Sequence, residues 1–175
     1  DAAIHDAAGK ALGRSAMRFY DEDHALPLAD SRFPDGGAAR AIRAMLCATP
    51  RLEFDAWWVV GKGDDMAADV IAPIHERGFR CFKLKTMGRD NAADIALTGE
   101  VFRAARRAGV SRPRLNVDSN EGSADAEAVL DFLERLRVDD PETFDALDYL
   151  EQPTPRDIDA HAFDWRAVSR VRPVF

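Results

Sequence analysis

From residue 54 to the end of the chain, strand-like and helix-like segments alternate in a regular order. Short runs of aromatic and β-branched residues, such as FDAWWVV at 54–60, are followed by longer segments whose apolar residues recur at helical spacing. We predict strands at 54–60, 79–85, 114–118 and 147–151, and the start of another at 173–175. The predicted helices cover 66–77, 91–108, 123–136 and 164–172. This alternation favours βαβ units and a parallel sheet.

Two folds contain such units, the open doubly wound sheet and the (β/α)8 barrel. No G-x-G-x-x-G sequence follows the first predicted strand, which removes the main signal of a dinucleotide-binding doubly wound sheet. Charged residues at the ends of the strands favour the barrel, whose active sites lie there. We therefore predict an α/β fold in which residues 51–175 form the N-terminal half of a (β/α)8 barrel catalytic domain.

Residues 1–50 precede this pattern and are predicted to form a helical and loop segment that leads into the barrel. The segment contains two predicted helices, 3–12 and 38–47, and a loop at 20–36 with two prolines. The chain begins with Asp1, and the residues that follow already have the character of a helix interior. We therefore expect the sequence to be a piece of a longer polypeptide.

Composition narrows the classes of partner. The net charge is −7, which makes a nucleic-acid partner and an acidic membrane surface unfavourable. No apolar run approaches the roughly 20 residues that span a bilayer. The two cysteines, Cys47 and Cys81, are not spaced as a metal-binding pair, and Cys81 is expected to be a small core residue. We expect a cytoplasmic protein that binds neither nucleic acid nor membranes.

Charged residues stand at the carboxyl ends of three consecutive predicted strands. These residues are Lys85, Asp118 and Glu151, and one predicted βα unit separates each from the next. Lys83 and Lys85 share one face of their strand, because side chains alternate with a period of two. Buried charges must be paired or bind a metal. The residues alone leave three interpretations open: an active site, a structural ion-pair cluster, or an edge strand with solvated lysines.

Several segments resemble the mandelate racemase and muconate lactonizing enzyme branch of the enolase superfamily. They follow one another in the order of that family and together extend over most of the chain from Asp6 onward. The segments are DAAGKALGR at 6–14, GFRCFKLK at 78–85, LNVDSNEG at 115–122, YLEQPTPRD at 149–157 and RPVF at 172–175. The K-x-K, D-x-N and E-Q-P patterns are weak signals one by one, and specific in this order and spacing.

The resemblance implies an Mg²⁺-dependent enzyme that abstracts the proton α to a carboxylate, with a metal-stabilised enolate intermediate. Members of the family act as lyases (dehydratases), cycloisomerases, or racemases and epimerases. The family's metal ligands map onto Asp118 and Glu151, and its acid/base lysine maps onto Lys85. Lys83 maps onto the lysine that binds the substrate carboxylate and balances its charge. Asn120 is a candidate for substrate contact or for ordering the metal shell, with a turn role as the alternative.

This chemistry explains why two lysines share one face of a strand. A lysine has an ordinary pKa of about 10.4, so a lysine that acts as a base near neutral pH needs a neighbour that lowers its pKa. A second ammonium group and a divalent cation both have this effect. Mg²⁺ prefers hard oxygen ligands and acts as a Lewis acid on the charge that develops on the substrate.

Parts of the family's site have no counterpart in the sequence. The third acidic ligand at the end of strand five and the opposing catalytic group on strand six or seven fall beyond Phe175. We therefore expect the 175-residue chain alone to be inactive. For its full-length parent, the resemblance implies a homo-oligomer that acts on a small carboxylate. The alternative is a non-catalytic barrel protein or fragment whose Lys, Asp and Glu residues form a structural ion-pair network.

Overall fold

A computed structural model describes residues 2–16, 37–45 and 53–175 of the protein. The chain forms two compact units, Asp1–Glu53 and Phe54–Phe175. The first unit contains helices α1 (Ala2–Leu12) and α2 (Gly37–Met45). The predicted loop at 20–36, the end of the second predicted helix with Cys47, and the predicted boundary after residue 50 all lie outside the described residues.

The second unit is built on a four-stranded parallel sheet in the order β1-β2-β3-β4. The strands are β1 (Trp57–Gly61), β2 (Cys81–Lys85), β3 (Arg114–Asp118) and β4 (Leu147–Glu151). The helical elements are a π-helix (Met66–Ile71), α3 (Ala72–Arg77), α4 (Asn91–Arg107), α5 (Ala126–Asp139), α6 (Pro141–Ala146) and α7 (Arg166–Val171). Sequential parallel strands joined by helices confirm the predicted βα architecture.

The chain after α7 begins a fifth strand beside β4. Val174 forms a parallel bridge with Leu150, and the Phe175 N–H donates to the Leu150 carbonyl at 2.9 Å. The rings of Trp57 in β1 and Tyr149 in β4 meet with centroids 5.7 Å apart. In a flat sheet about 14 Å would separate these strands, so the sheet is curved. This is the predicted first half of a barrel.

The two faces of the sheet differ sharply in polarity. Residues on the outer face pack against the helices and form the core: Val60, Phe82, Leu84, Leu115, Val117 and Leu150. Apolar residues of the helices complete this core, among them Val70, Val101, Phe102, Val129, Leu133 and Val168. Full burial of one such side chain contributes about 1.5–3 kcal/mol. The core therefore fixes the register in which the alternate residues face the concave side of the sheet.

The helical segment after β1 is irregular, which corrects the prediction of one continuous helix at 66–77. It begins as a π-helix and continues as α3 from Ala72. Pro73 has no N–H to donate to the carbonyl of Asp69, four residues earlier. That carbonyl instead accepts a hydrogen bond of 2.6 Å from the indole nitrogen of Trp58. Strand β1 thus satisfies the group that the proline leaves unpaired.

Helix α5 begins later than predicted, because its cap is Asp125 and not Ser123. The Asp125 carboxylate accepts a hydrogen bond from the Ala128 N–H at 2.8 Å. Ser123 instead donates its backbone N–H to the carbonyl of Pro153, also at 2.8 Å. The predicted capping residue therefore joins the loop after β3 to the loop after β4.

Helix α6 was not predicted, although the sequence contains its start signal. Asp140 accepts a hydrogen bond from the Thr143 N–H at 3.2 Å, and Pro141 occupies the first turn. Both residue types are favoured at these positions of a helix. The helix is only six residues long, too short for its apolar residues to show a helical period.

Several predicted elements extend further than those observed. Strand β1 begins at Trp57 and not at Phe54, and β2 begins at Cys81 and not at Phe79. Helix α7 covers Arg166–Val171 and not 164–172. Asp55 lies just before β1, and its carboxylate pairs with Arg114 of β3 at 3.0 Å.

Candidate active site

The register of the sheet places three of the predicted site residues in one row. Lys85 on β2 pairs with Asp118 on β3, which in turn pairs with Glu151 on β4. Each is the last residue of its strand. Gly61, the last residue of β1, pairs with Lys85 and adds no side chain to the row. In strand order, the carboxyl end of the sheet therefore carries one ammonium group followed by two carboxylates.

Lys83 lies one pleat deeper on the same face and reaches both carboxylates. Its ammonium nitrogen is 2.6 Å from Oε1 of Glu151 and 2.9 Å from Oδ2 of Asp118. The side chain of Asp118 is 1% exposed, whereas those of Lys83 and Glu151 are 20% and 29% exposed. One cation thus lies between two carboxylates, one of them fully buried.

Lys85 and Asn120 complete the contacts around Asp118. The Lys85 ammonium donates to Oδ2 of Asp118 and, at 3.1 Å, to Oδ1 of Asn120. The Asn120 backbone N–H donates to Oδ1 of Asp118 at 3.0 Å. The structure therefore brings together all five predicted site residues: Lys83, Lys85, Asp118, Asn120 and Glu151.

The mutual contacts shift the pKa of two of these groups. Burial by itself would raise the pKa of Asp118, but hydrogen bonds from Lys85 and Lys83 outweigh burial and lower that pKa below the ordinary 3.8. Burial by itself would lower the pKa of Lys83, but hydrogen bonds to Glu151 and Asp118 outweigh it and raise that pKa above the ordinary 10.5. Both groups are therefore charged near neutral pH.

The backbone that follows Asp118 is held in an unfavourable conformation. Asn120 and Glu121 have φ of 48° and 67°, and Gln152, directly after Glu151, has φ of 42°. Left-handed backbone at residues other than glycine is uncommon and concentrates at functional sites. The Glu121 N–H donates to the Gln152 carbonyl at 2.7 Å, so the two turns support each other directly behind the carboxylates. Asn120 therefore lies in a turn and also contacts Lys85.

Close backbone packing joins the loops after β2 and β3. A Cβ atom added at Gly122 would overlap the carbonyl oxygen of Met87, and it would lie 2.8 Å from that of Ser119. Gly88, which has φ of 67°, has similarly little room beside Ser123. Only glycine allows this approach. The two loops thereby hold the ends of β2 and β3 next to each other.

Asn116 is a residue of this face that the sequence analysis missed as a site candidate. It lies in register with Lys83 on one side and Tyr149 on the other. It is 0% exposed, and neither Nδ2 nor Oδ1 has a hydrogen-bond partner. A buried polar group without a partner is rare and costly. The sequence did contain one signal for Asn116 as a site candidate, because it lies two residues before Asp118 and therefore on the same face of the strand.

The donor set suits Mg²⁺ in its chemistry. Mg²⁺ is commonly bound by one or two carboxylates and retains several waters. Asp118 and Glu151 both contact one positively charged group, the ammonium of Lys83. Among the residues that the structure describes, no three His, Cys, Asp or Glu side chains are grouped so that they could hold a metal ion. Two carboxylates that face a common cation therefore fit a partial Mg²⁺ shell completed by other oxygens.

The opposite end of the sheet is organised differently. Two cavities of about 640 and 530 Å³ lie there and share Arg114, the first residue of β3. Arg114 forms ion pairs with Asp148 at 2.5 Å and with Asp55 at 3.0 Å. Charge at the amino-terminal face of a barrel commonly serves stability. Cys81 lies near this end, and burial, followed by the charge of Asp55, raises the pKa of its thiol.

The part of the chain that the structure describes contains no helix long and apolar enough to cross a membrane.

The solved structures that are similar to this chain include the following three proteins. A mandelate racemase/muconate lactonizing protein from Herpetosiphon aurantiacus is 30% identical, with 69% of this chain and 29% of that chain covered and a TM-score of 0.48. An enolase from Bradyrhizobium, complexed with magnesium and mandelic acid, is 25% identical, with 69% and 30% covered and a TM-score of 0.47. A muconate lactonizing enzyme from Pseudomonas fluorescens, complexed with muconolactone, is 22% identical, with 69% and 30% covered and a TM-score of 0.47.

The chain spans about 30% of the length of these proteins. No curated protein sequence matches it. The family model of the enolase C-terminal domain-like proteins matches residues 65–170, which is more than half of the chain and includes three of the four strands. The chain therefore belongs to the enolase C-terminal domain-like family, in the mandelate racemase and muconate lactonizing enzyme branch of the enolase superfamily.

Proposed function

We propose that this chain carries part of the active site of an Mg²⁺-dependent enzyme that abstracts the proton α to a carboxylate. One observation supports the proposal above the others. Asp118 and Glu151 both contact the Lys83 ammonium group at the carboxyl end of a parallel sheet, and Lys85 also contacts Asp118. Family membership and the position at this end of the strands favour catalysis over a purely structural network.

In this proposal Asp118 and Glu151 hold the metal ion. Asp118 is fully buried and hydrogen-bonded by the Asn120 N–H, so its orientation is fixed before a ligand arrives. Glu151 is 29% exposed and can adjust to the coordination that Mg²⁺ requires. When bound, the metal ion supplies Lewis-acid stabilisation of the negative charge that develops on the substrate carboxylate.

Lys85 is the proposed acid/base residue. Its side chain is 37% exposed, which leaves its ammonium group accessible from the concave side of the sheet while it contacts Asp118. Asn120 accepts a second hydrogen bond from the same nitrogen and holds it at the end of the strand. To remove the substrate α-proton, Lys85 would have to be in its neutral amine form. Its Nζ lone pair would accept the proton and become an ammonium group, and the reverse transfer would return the proton.

Lys83 and Asn120 are the proposed substrate contacts. The carboxylates beside Lys83 keep it protonated, so it carries the positive charge that a substrate carboxylate needs for binding. Abstraction of an α-proton increases the negative charge on that carboxylate, and a fixed ammonium group favours the increase. Asn120 lies at the rim of the site, where its amide can contact a substrate and also orient Lys85.

The activity, substrate class and assembly of the whole protein are part of the same proposal. We propose that it acts on a small carboxylate as a lyase, cycloisomerase, or racemase or epimerase, and that it is a cytoplasmic homo-oligomer. The non-catalytic alternative retains one supporting observation, because the ion pairs of Lys83, Asp118 and Glu151 would also form a stable structural network.

A metal-dependent assay separates the two proposals. The full-length protein is incubated with a panel of α-substituted carboxylates that includes mandelate, in Mg²⁺ and in EDTA. We expect Mg²⁺-dependent turnover of at least one carboxylate, which is lost in Asp118→Asn and Glu151→Gln. Absence of turnover of every carboxylate in Mg²⁺ would favour the non-catalytic network, and full activity of either variant in EDTA would reject the metal assignment.

A further inference from the structure

We infer that Lys83 is a resident counter-ion that occupies the metal position and competes with the divalent cation, and that Asn116 receives its ammonium group when the metal binds. The inference rests on the proposed function, because it assumes that Asp118 and Glu151 bind the metal. It adds a regulatory role for Lys83 and a positioning role for Asn116.

The first argument is steric. The Lys83 nitrogen lies 2.6 Å from Glu151 Oε1 and 2.9 Å from Asp118 Oδ2, within hydrogen-bond distance of both carboxylates. A Mg²⁺ ion bound to both oxygens needs distances of about 2.0–2.1 Å to each. The ion and the ammonium group cannot both fill this space. Metal binding therefore has to displace Lys83 from at least one of its two partners.

The second argument is electrostatic. The Asp118 side chain is 1% exposed, and a buried carboxylate without a partner cation is strongly destabilising. Lys83 and Lys85 both pair with it in the absence of metal. Of the two carboxylates, Lys85 contacts only that of Asp118. Lys83 contacts both, as a divalent ion would. The two lysines thereby leave neither carboxylate unpaired, and a divalent ion would have to compete with Lys83 for both of them.

The third argument concerns the destination of the displaced ammonium group. Asn116 is the neighbour of Lys83 across β2 and β3, on the same face and away from the carboxylate row. Its Oδ1 is fully buried and has no hydrogen-bond partner. A lysine side chain is flexible, and its ammonium group has three donors. Retraction of Lys83 toward Asn116 gives the ammonium an acceptor and satisfies the unpartnered amide in one movement.

Calorimetric titration with MgCl₂ tests the competition. Lys83→Met removes the competing charge and keeps the length of the side chain, so we expect about tenfold tighter Mg²⁺ binding than in the wild type. Lys85→Met is the matched control, with a smaller gain, because Lys85 contacts one carboxylate and is 37% exposed. Thermal melts provide a second readout: Mg²⁺ should raise the melting temperature more in Lys83→Met than in the wild type.

The outcomes separate this inference from the proposed function. Wild-type or weaker Mg²⁺ binding by Lys83→Met would overturn the competition while Asp118 and Glu151 remain the metal ligands. Absence of Mg²⁺ binding in both proteins would reject the metal site and the inference together.

A double-mutant cycle tests the role of Asn116. Asn116→Leu has a similar volume and removes an unpartnered buried amide, so the variant is expected to fold. In the wild-type background it should weaken Mg²⁺ binding severalfold, because the displaced Lys83 loses its acceptor. In the Lys83→Met background it should have no effect, since no ammonium group needs to be received. An equal effect in both backgrounds would contradict the proposed retraction.

Discussion

Asp118 and Glu151 lie in the same register position of adjacent strands, and both carboxylates contact the same ammonium nitrogen, that of Lys83. The relationship follows from parallel pairing, because residues that end neighbouring parallel strands meet at one edge of the sheet. It places two negative charges and the cation between them where barrel enzymes carry out their chemistry.

The two carboxylates should differ in their contribution to stability. Asp118 is buried and bonded by two lysines and a backbone N–H, so Asp118→Asn should destabilise the apoprotein by about 1–3 kcal/mol. Glu151 is 29% exposed and contacts only Lys83, so Glu151→Gln should cost about 1 kcal/mol or less. Urea denaturation without metal measures both, and a larger loss for Glu151→Gln would contradict the assigned burial.

Gly122 should tolerate no side chain. Gly122→Ala would force a Cβ atom against the carbonyls of Met87 and Ser119, which should destabilise the protein by about 1–3 kcal/mol or more. Gly61→Ala is the matched control at the same end of the sheet, because its Cβ would lie 3.9 Å from the nearest atoms. Thermal unfolding of both variants checks the prediction, and equal melting temperatures would show that the loops are not packed as described.

Cys81 should react slowly with alkylating agents and only at high pH. Burial, followed by the negative charge of Asp55, raises the pKa of its thiol above the ordinary 9.0. Its contribution to stability is therefore complete below pH 9 and is lost as the pH rises through the higher folded-state pKa. Iodoacetamide labelling of a Cys47→Ser variant, followed by mass spectrometry across pH 7–10, measures the midpoint. Rapid labelling near pH 8 would contradict burial of the thiol.

The ion pair between Glu121 and Arg156 should contribute little to stability. It joins the loops after β3 and β4 through an Arg156 Nη2–Oε1 contact of 2.5 Å, but the arginine side chain is 72% exposed. A double-mutant cycle of Glu121→Gln and Arg156→Gln should give a coupling of about 0.2–1 kcal/mol. Half a molar salt should reduce this coupling. A salt-independent coupling above this range would indicate that the pair is buried by other parts of the protein.

The sequence predicted the sheet and the charged row because both depend on local, periodic information. Phe82 and Leu84 alternate with Lys83 and Lys85, and that alternation alone assigns the lysines to one face. The strand ends then define which charges meet. The five site residues could therefore be named before their distances were known, although their roles came from the family resemblance.

The features that escaped prediction depend on contacts distant in sequence. The irregular helix after β1 includes one such contact, since Trp58 donates to the Asp69 carbonyl. Ser123 lost its capping role to Asp125 because its backbone bonds to Pro153. The alternation of the strand places Asn116 on the same face as Asp118, but its lack of hydrogen-bond partners depends on the neighbouring strands.

Exchange of the substrate α-proton in D₂O tests the central claim most directly. The full-length protein, with Mg²⁺ and a carboxylate substrate, is followed by proton NMR for loss of the α-proton signal. The account predicts exchange in the wild type and in the control variant Lys62→Ala, which changes an exposed lysine just after β1. In Lys85→Ala it predicts no exchange of the proton on the face of the substrate that Lys85 serves. Exchange at the wild-type rate in correctly folded Lys85→Ala would contradict the assignment of Lys85 as the acid/base residue.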